Sequence, residues 1–233
     1  MWGVLISGVK WLGETEQKAE VIAIDGPAGA GKSTVARRVA QRLGWIYIDT
    51  GAMYRAVCLK ALRTGIPVED GMALAELARS STIEFCPSPQ GEQVLLDGRD
   101  VTGDIRSPEV TAHVSQVAAQ AGLRRELMRL QRLLALEGRT VVDGRDIGTC
   151  VVPEAGLKVF LTAEFQTRVE RRYAELLDRG FEVTAAEVAQ NMAARDKLDS
   201  GREVAPLQKA KDAVVIDTTG LSIAEVVQRV VDE

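Results

Sequence analysis

Histidine is almost missing from this chain of 233 residues, in which His113 stands alone. That excludes any site built on two imidazoles, H-E-x-x-H zinc sites included, and leaves His113 as a packing or helix-surface residue. Cysteine is scarce as well: Cys58, Cys86 and Cys150 are odd in number, far apart and without a C-x-x-C spacing. They indicate neither a zinc site nor a disulfide framework, and they fit a reducing cytoplasm. Positive charge is not in excess, since 29 Lys and Arg against 33 Asp and Glu leave a net charge of -4. Nothing supplies the broad basic field that nucleic acid or an anionic membrane requires. The apolar run within the first 20 residues, "MWGVLISGVKWLGETEQKAE", is far too short to span a bilayer and lacks the flanks of a signal peptide. Residues 1–20 read as a disordered N-terminal extension. Repeats and low-complexity tracts are absent too.

What the chain does have is ordinary for a globular protein, with 46% hydrophobic and 27% charged residues, enough for one domain with small appendages over residues 21–233. The runs "VIAI" (21–24), "WIYI" (45–48), "TVVD" (140–143), "LKVFLT" (157–162) and "AVVID" (213–217) read as short buried strands. Helical patterns lie between most of them. "STVARRVAQRLG" spaces Val35, Val39 and Leu43 and stops at Gly44; "SPEVTAHVSQVAAQ" opens on Ser107 as cap with Pro108 at the first helical position. Alternation of this kind implies a mainly parallel sheet covered by helices on both faces. Residues 80–105 break the pattern with short β-like runs around Asp97-Gly98, a hairpin turn signal, and read as a small antiparallel insert.

"GPAGAGKST" matches G-x-x-x-x-G-K-[ST], and it follows a predicted strand and opens a predicted helix, as a phosphate-binding loop must. The loop Gly26, Pro27, Ala28, Gly29, Ala30 and Gly31 can wrap an anion with its backbone N–H groups, which every one of these residues but Pro27 offers, and with the helix N-terminus. Lys32 would reach the β and γ phosphates and Ser33, next to Thr34, would ligate Mg²⁺. A guanine-reading N-K-x-D is missing, and no partner-binding module is evident, so a small-molecule kinase leads over a GTPase switch or a motor.

The acceptor must be read elsewhere. "DTGAMYR" (49–55) ends the second strand and "DGRDIGT" (143–149) ends the third, where doubly wound sheets bind ligands. Arginine is dense in "RRELMRLQR" and "RVERR", a distribution suited to small anions. Asp143 could contact a Mg²⁺-bound water or cap the following loop. Thr184 and Glu187 have the spacing of a capping box and start a helix through Val188 and Met192. Continued by threes and fours, that stripe meets Arg195, Asp199 and Arg202. They form either an ordinary ion pair worth about 0.2–0.5 kcal/mol or the wall of an enclosed polar site. "TRVERR", with Arg168, Arg171 and Arg172, fits a mobile lid over about 165–185.

"IDGPAGAGKST", "DTGAMYR", "LLDGRDVTGDIR", "SQVA", "RRELMRLQR", "VVDGRDIGT" and "RDKLDSGR" followed by "VAPL" occur in an order and spacing that resemble the bacterial cytidylate kinases, from Val21 to the C-terminus. The resemblance implies an α/β P-loop kinase fold: a five-stranded, mainly parallel sheet flanked by helices, a small antiparallel β insert on the side that binds the nucleoside monophosphate, and a helical lid. It implies transfer of the γ-phosphoryl group of ATP to CMP or dCMP, assisted by Mg²⁺ and without a covalent intermediate, by a cytoplasmic monomer. By the same likeness Thr50, Tyr54, Arg55, Arg145 and Arg195 hold the CMP phosphate and its surroundings. Ser115, Arg124, Asp146 and Arg202 read the cytosine, and Asp199 accepts from the sugar hydroxyls. Lys32, Arg145, Arg168 and Arg172 then stabilise the transferring group, the last two from the lid. Two alternatives stay open: a nucleotide-sensing protein that kept the loop but lost turnover, and a UMP, AMP or shikimate kinase.

Overall fold

The computed structural model describes residues 20–88 and 91–233, in two compact units. One is built on a parallel sheet and comprises residues 20–48 and Arg132–Glu233; the other is mainly helical and comprises Asp49–Gln131. The expected N-terminal extension lies outside the described residues, save that Glu20 is the first residue of a strand and so is not part of any extension.

The sheet unit carries β1 (Glu20–Asp25), β2 (Ile46–Asp49), β6 (Arg139–Gly144), β7 (Leu157–Thr162) and β8 (Val214–Asp217), in the order β2-β6-β1-β7-β8. β1 runs parallel to both β6 and β7, with Ile22 opposite Val141 and Leu157. These strands are near-continuous apolar runs because both faces are covered. α1 (Lys32–Leu43) and α8 (Ile223–Asp232) bury Val35, Val39, Val226 and Val230 against Ile22, Ile24, Val159 and Leu161. Each fully buried aliphatic side chain contributes about 1.5–3 kcal/mol. The register that makes this core also sets Asp25 beside Gly144, so the loops leaving β1 and β6 start level with each other.

α6 (Phe165–Asp178) and α7 (Ala185–Ser200) complete this unit. α7 starts at the capping box the sequence announced, Thr184 accepting from the Glu187 amide while Glu187 accepts from the amide of Thr184. It stops at Ser200, with Gly201 as C-cap. Arg202 therefore lies beyond the helix, and the expectation that Arg195, Asp199 and Arg202 share one helical face is corrected for the last of them. Gly201 ended the helical turn before the spacing could be completed.

In the helical unit, α2 (Thr50–Thr64) and α3 (Gly71–Arg79) precede an antiparallel sheet of β3 (Ile83–Ser88), β4 (Gly91–Leu96) and β5 (Arg99–Asp100). Asp97 and Gly98, both with positive φ at 51° and 76°, turn β4 into β5 as a two-residue hairpin demands. A 3-10 turn (Asp104–Arg106), α4 (Pro108–Ala119) and α5 (Ala121–Ala135) follow. α4 has Ser107 as its cap and Pro108 at its start, as read. α3 was not anticipated, although Asp70 caps it by accepting from the amides of Met72 and Ala73.

Candidate active site

The phosphate loop leaves β1 at Asp25 and enters α1 at Lys32. Its path requires glycine at two points. A Cβ at Gly26, with φ at 148°, would stand 2.0 Å from the Leu161 carbonyl oxygen; one at Gly29 would meet backbone and Cβ atoms of Arg168 at 2.8 and 2.9 Å. Lys32 donates from Nζ to the Pro27 carbonyl at 2.7 Å, spanning the loop it is meant to serve. Burial and the nearby Arg145 push its ammonium well below the usual lysine range, against the pull of Asp143. An anion in the loop would restore the missing negative charge.

Asp143, at the end of β6, receives hydrogen bonds from Ser33 Oγ at 2.7 Å and Tyr47 Oη at 2.9 Å. The two residues read as possible Mg²⁺ partners thus touch. A hydroxyl and a carboxylate are hard oxygen donors of the kind Mg²⁺ accepts, and two protein groups leave coordination positions for water and phosphate. Among the described residues no cluster of three or more His, Cys, Asp or Glu side chains that could hold a metal exists.

The same unit gathers the arginines of the "DGRDIGT" and "RDKLDSGR" motifs around one carboxylate. Asp199 is 1% exposed. Arg145 Nε donates to its Oδ2 at 2.9 Å, Arg202 Nη2 donates to its Oδ1, and Arg195 Nε stands 3.9 Å away. Burial works to raise the Asp199 carboxyl, but Arg145, Arg202 and Arg195 more than offset it and hold the pKa below the ordinary aspartate value. Asp199, the carboxylate expected to meet sugar hydroxyls, is thus surrounded by three guanidinium groups. Asp146 is buried at the start of a π turn (Ile147–Val151) and makes no side-chain cap bond there.

The arginines expected on the lid differ in their engagement. Arg168 is buried in α6: its Nη1 donates to the Ala28 carbonyl at 3.0 Å and to Asp196 Oδ2 at 2.7 Å, and its Nε to the Ala163 carbonyl at 3.3 Å. It ties the phosphate loop to α7 rather than standing exposed. Arg171 donates to the hydroxyl and carbonyl oxygens of Thr218 at 2.8 and 2.7 Å, and Arg172 to Glu175 at 2.7 Å. Apolar contact backs the tie, since Ala28, Tyr173 and Leu176 pack on Val169, Val188 and Met192.

The helical unit carries the remaining expected residues. Thr50 is buried in the first turn of α2, behind Asp49, whose Oδ1 accepts from the Ala52 amide at 3.0 Å and whose Oδ2 faces Arg106 at 3.5 Å. One turn on, Arg55 donates from Nη1 to Thr111 Oγ1 at 3.0 Å and to the Ile105 carbonyl at 3.3 Å. Arg124, 1% exposed, donates to the Ala118 carbonyl at 3.1 Å and lies over the Tyr54 ring at 5.4 Å from its centre. A desolvated cation–π contact of this kind contributes about 2 kcal/mol. Ser115 is half-buried on α4.

Sequence reasoning missed two acids. Asp196 sits one residue after Arg195 in a motif read only for Arg195, Asp199 and Arg202. Asp25 was quoted as part of a motif without a role, yet a carboxylate ending a buried strand just before a phosphate loop is a signal in itself.

The family model for cytidylate kinase matches residues 22–233. The chain is 53% identical over 211 residues to the cytidylate kinase of Geobacillus kaustophilus (strain HTA426), covering 91% of this chain and 94% of that protein. It is 53% identical to the cytidylate kinase of Symbiobacterium thermophilum, over 90% of this chain and 93% of that one, and 49% identical to that of Carboxydothermus hydrogenoformans, over 91% and 95%. A solved structure of an uncharacterised protein from Eubacterium ventriosum shares the fold, with a TM-score of 0.51 at 12% identity over 92% of this chain and 97% of that one.

Proposed function

The chain belongs to the cytidylate kinase family, and we infer from that premise that it transfers the γ-phosphoryl group of ATP to CMP or dCMP, giving CDP or dCDP. The observation that carries the reading is the match over nine-tenths of the chain at about half identity, together with a phosphate loop whose lysine and serine are built in. Nothing favours a nucleotide sensor or a UMP or AMP kinase.

Phosphoryl transfer asks for positioning and charge neutralisation more than for covalent chemistry. The CMP phosphate oxygen attacks the γ-phosphorus of ATP in line as the bond from that phosphorus to the β,γ-bridging oxygen breaks and ADP leaves, with no enzyme nucleophile. The loop from Gly26 to Thr34 wraps the ATP phosphates, and Lys32 exchanges the Pro27 carbonyl for the β and γ phosphates. Ser33 and Asp143 would hold Mg²⁺ beside the nucleotide, Asp143 through water. Bound there, Mg²⁺ supplies positive charge to the phosphate oxygens.

Arg145 and Arg195 leave Asp199 for the CMP phosphate, joined by Thr50, Tyr54 and Arg55. The carboxylate then accepts from the sugar hydroxyls. Ser115, Arg124, Asp146 and Arg202 read the cytosine edge, where an unpaired donor or acceptor costs about 1–3 kcal/mol. α6 and the segment after it, about 165–185, act as the lid. Arg168 and Arg172 turn from Asp196 and Glu175 to the transferring group, and water is kept out. The lack of a basic excess supports action on free nucleotides rather than on nucleic acid or an anionic membrane, the scarce and scattered cysteines fit the cytoplasm, and the monomer rests on likeness to the family alone.

ADP release from MgATP with CMP, dCMP, UMP, AMP or no acceptor tests the reading, with Asp146→Ala alongside wild type. Strong turnover on CMP and dCMP, selectively lost in Asp146→Ala, is expected. ATP binding without phosphorylation of any acceptor would refute the enzyme, and an unaltered Asp146→Ala would refute the base reader.

A further inference from the structure

The turn that presents Asp146 is capped by an acid from another strand. The first amides of any helical turn have no partner within the turn, and the residue at the N-cap position ordinarily supplies one. Asp146 holds that position for the π turn Ile147–Val151 but makes no side-chain cap bond. Asp25 does the work from the end of β1. Its Oδ1 accepts from the Ile147 amide at 2.9 Å and its Oδ2 from the Gly148 amide at 2.8 Å.

The cap is buried and tightly enclosed. Asp25 is 4% exposed, and Ile147 and Gly148 are buried. A Cβ on Gly148 would stand 3.1 Å from Lys158 Cδ and 3.5 Å from Asp25 Oδ2, so the backbone has little room to move. Within the turn, the Asp146 carbonyl accepts from Cys150 and Val151 at 2.9 and 3.1 Å. Asp25 thus holds the amide side of a turn whose carbonyl end is Asp146 itself, next to Arg145. A buried carboxylate is a costly choice for a structural cap, and Asp146 and Lys32 are its charged neighbours.

We propose that Asp25 is a positioning residue of the acceptor site: by capping the turn after Asp146 from β1, it fixes the backbone that aims Arg145 and Asp146 at the nucleotide, and touches no substrate itself. The inference rests on the reading of Asp146 as a cytosine contact. It also joins the two halves of the reaction, because the residue after Asp25 opens the ATP loop.

Asp25→Asn keeps the shape and one acceptor but sets an amide N–H against a backbone N–H. The KM for CMP should rise about tenfold or more, since small misplacements of positioned groups cost up to about a hundredfold. The CMP-over-UMP preference in kcat/KM should fall by a similar factor, with the KM for ATP within about twofold of wild type. A fall in kcat with both KM values and the preference unchanged is what a merely structural role gives, and it overturns the proposal. Asp146→Ala, measured in parallel, separates the two claims. If it keeps the CMP preference, the reading of Asp146 fails; if it loses the preference while Asp25→Asn behaves as wild type, the inference about Asp25 fails alone. Should Asp25→Asn not fold, amide exchange in the wild-type protein decides. Ile147 and Gly148 should exchange about a hundredfold or more slower than unprotected amides, and exchange at the unprotected rate overturns the cap.

Discussion

Replacing Asp199 by asparagine removes one negative charge from among three arginines and leaves the shape of the side chain nearly intact. The carboxylate is 1% exposed, 2.9 Å from Arg145 and 3.9 Å from Arg195, with Arg202 also donating to it. With an effective dielectric of about 20, one such pair at about 4 Å is worth about 4 kcal/mol before desolvation. Desolvation cancels much of that in the wild type, but removing one partner leaves the other charges buried, which costs about 3–5 kcal/mol. At about 2–4 °C per kcal/mol for a protein of this size, Asp199→Asn should melt roughly 10 °C below wild type at pH 7. Differential scanning calorimetry without nucleotide measures it. The sign of the pH dependence follows from the lowered carboxyl. Its stabilisation is complete above the unfolded aspartate pKa of about 3.9 and is lost as pH falls through the lower folded value, so the gap should close below about pH 4. Melting within about 2 °C of wild type at pH 7 would refute the reasoning, because it would mean that the arginines do not depend on this carboxylate.

Three other outcomes follow from the same geometry. Burial raises the Asp25 carboxyl to about 6. Its contribution to stability is therefore complete below about pH 4 and falls by up to about 3 kcal/mol as pH rises through 6, a slope that Asp25→Asn should abolish in urea titrations; a parallel pH dependence in both proteins would exclude it. Arg172→Ala should lower kcat about a hundredfold while the KM for CMP changes about threefold at most, in steady-state assays; equal losses would point to misfolding instead. Gly29→Ala sets a Cβ 2.8 Å from the Arg168 carbonyl oxygen at φ of 77°, a strain of about 1–3 kcal/mol. It should raise the KM for ATP and lower the melting temperature together, and wild-type values of both would show that the loop and α6 part freely.

The phosphate loop was legible because one short motif, its preceding strand and its following helix all state the same local requirement. Capping at Ser107 and Thr184 was equally plain, since the bonds that define those caps join residues only three apart. The turn at Asp97-Gly98 belongs with them, both residues accepting the positive φ it needs. α3 escaped notice because its apolar spacing is short and nothing at its end marks a stop as Gly44 does for α1.

The sequence by itself determined the chemistry available to this protein: an ATP loop, a parallel sheet that presents it, and a set of arginines and acids whose order matches one kinase family. Partnership was another matter. Arg195 and Asp199 could be paired from helical spacing, but Arg145, 54 residues away, joins them only because the loop after β6 and the end of α7 meet in the fold. The same holds for Arg168 on Ala28, 140 residues apart, and for Asp25 on Gly148, 123 apart. Hydrogen bonds and ion pairs act over about 3–4 Å, and local sequence carries no record of which distant groups come that close. For Asp25 and Gly148 the parallel pairing of β1 with β6 sets the two loops level, and the packing of α6 and α7 on the sheet unit supplies the rest.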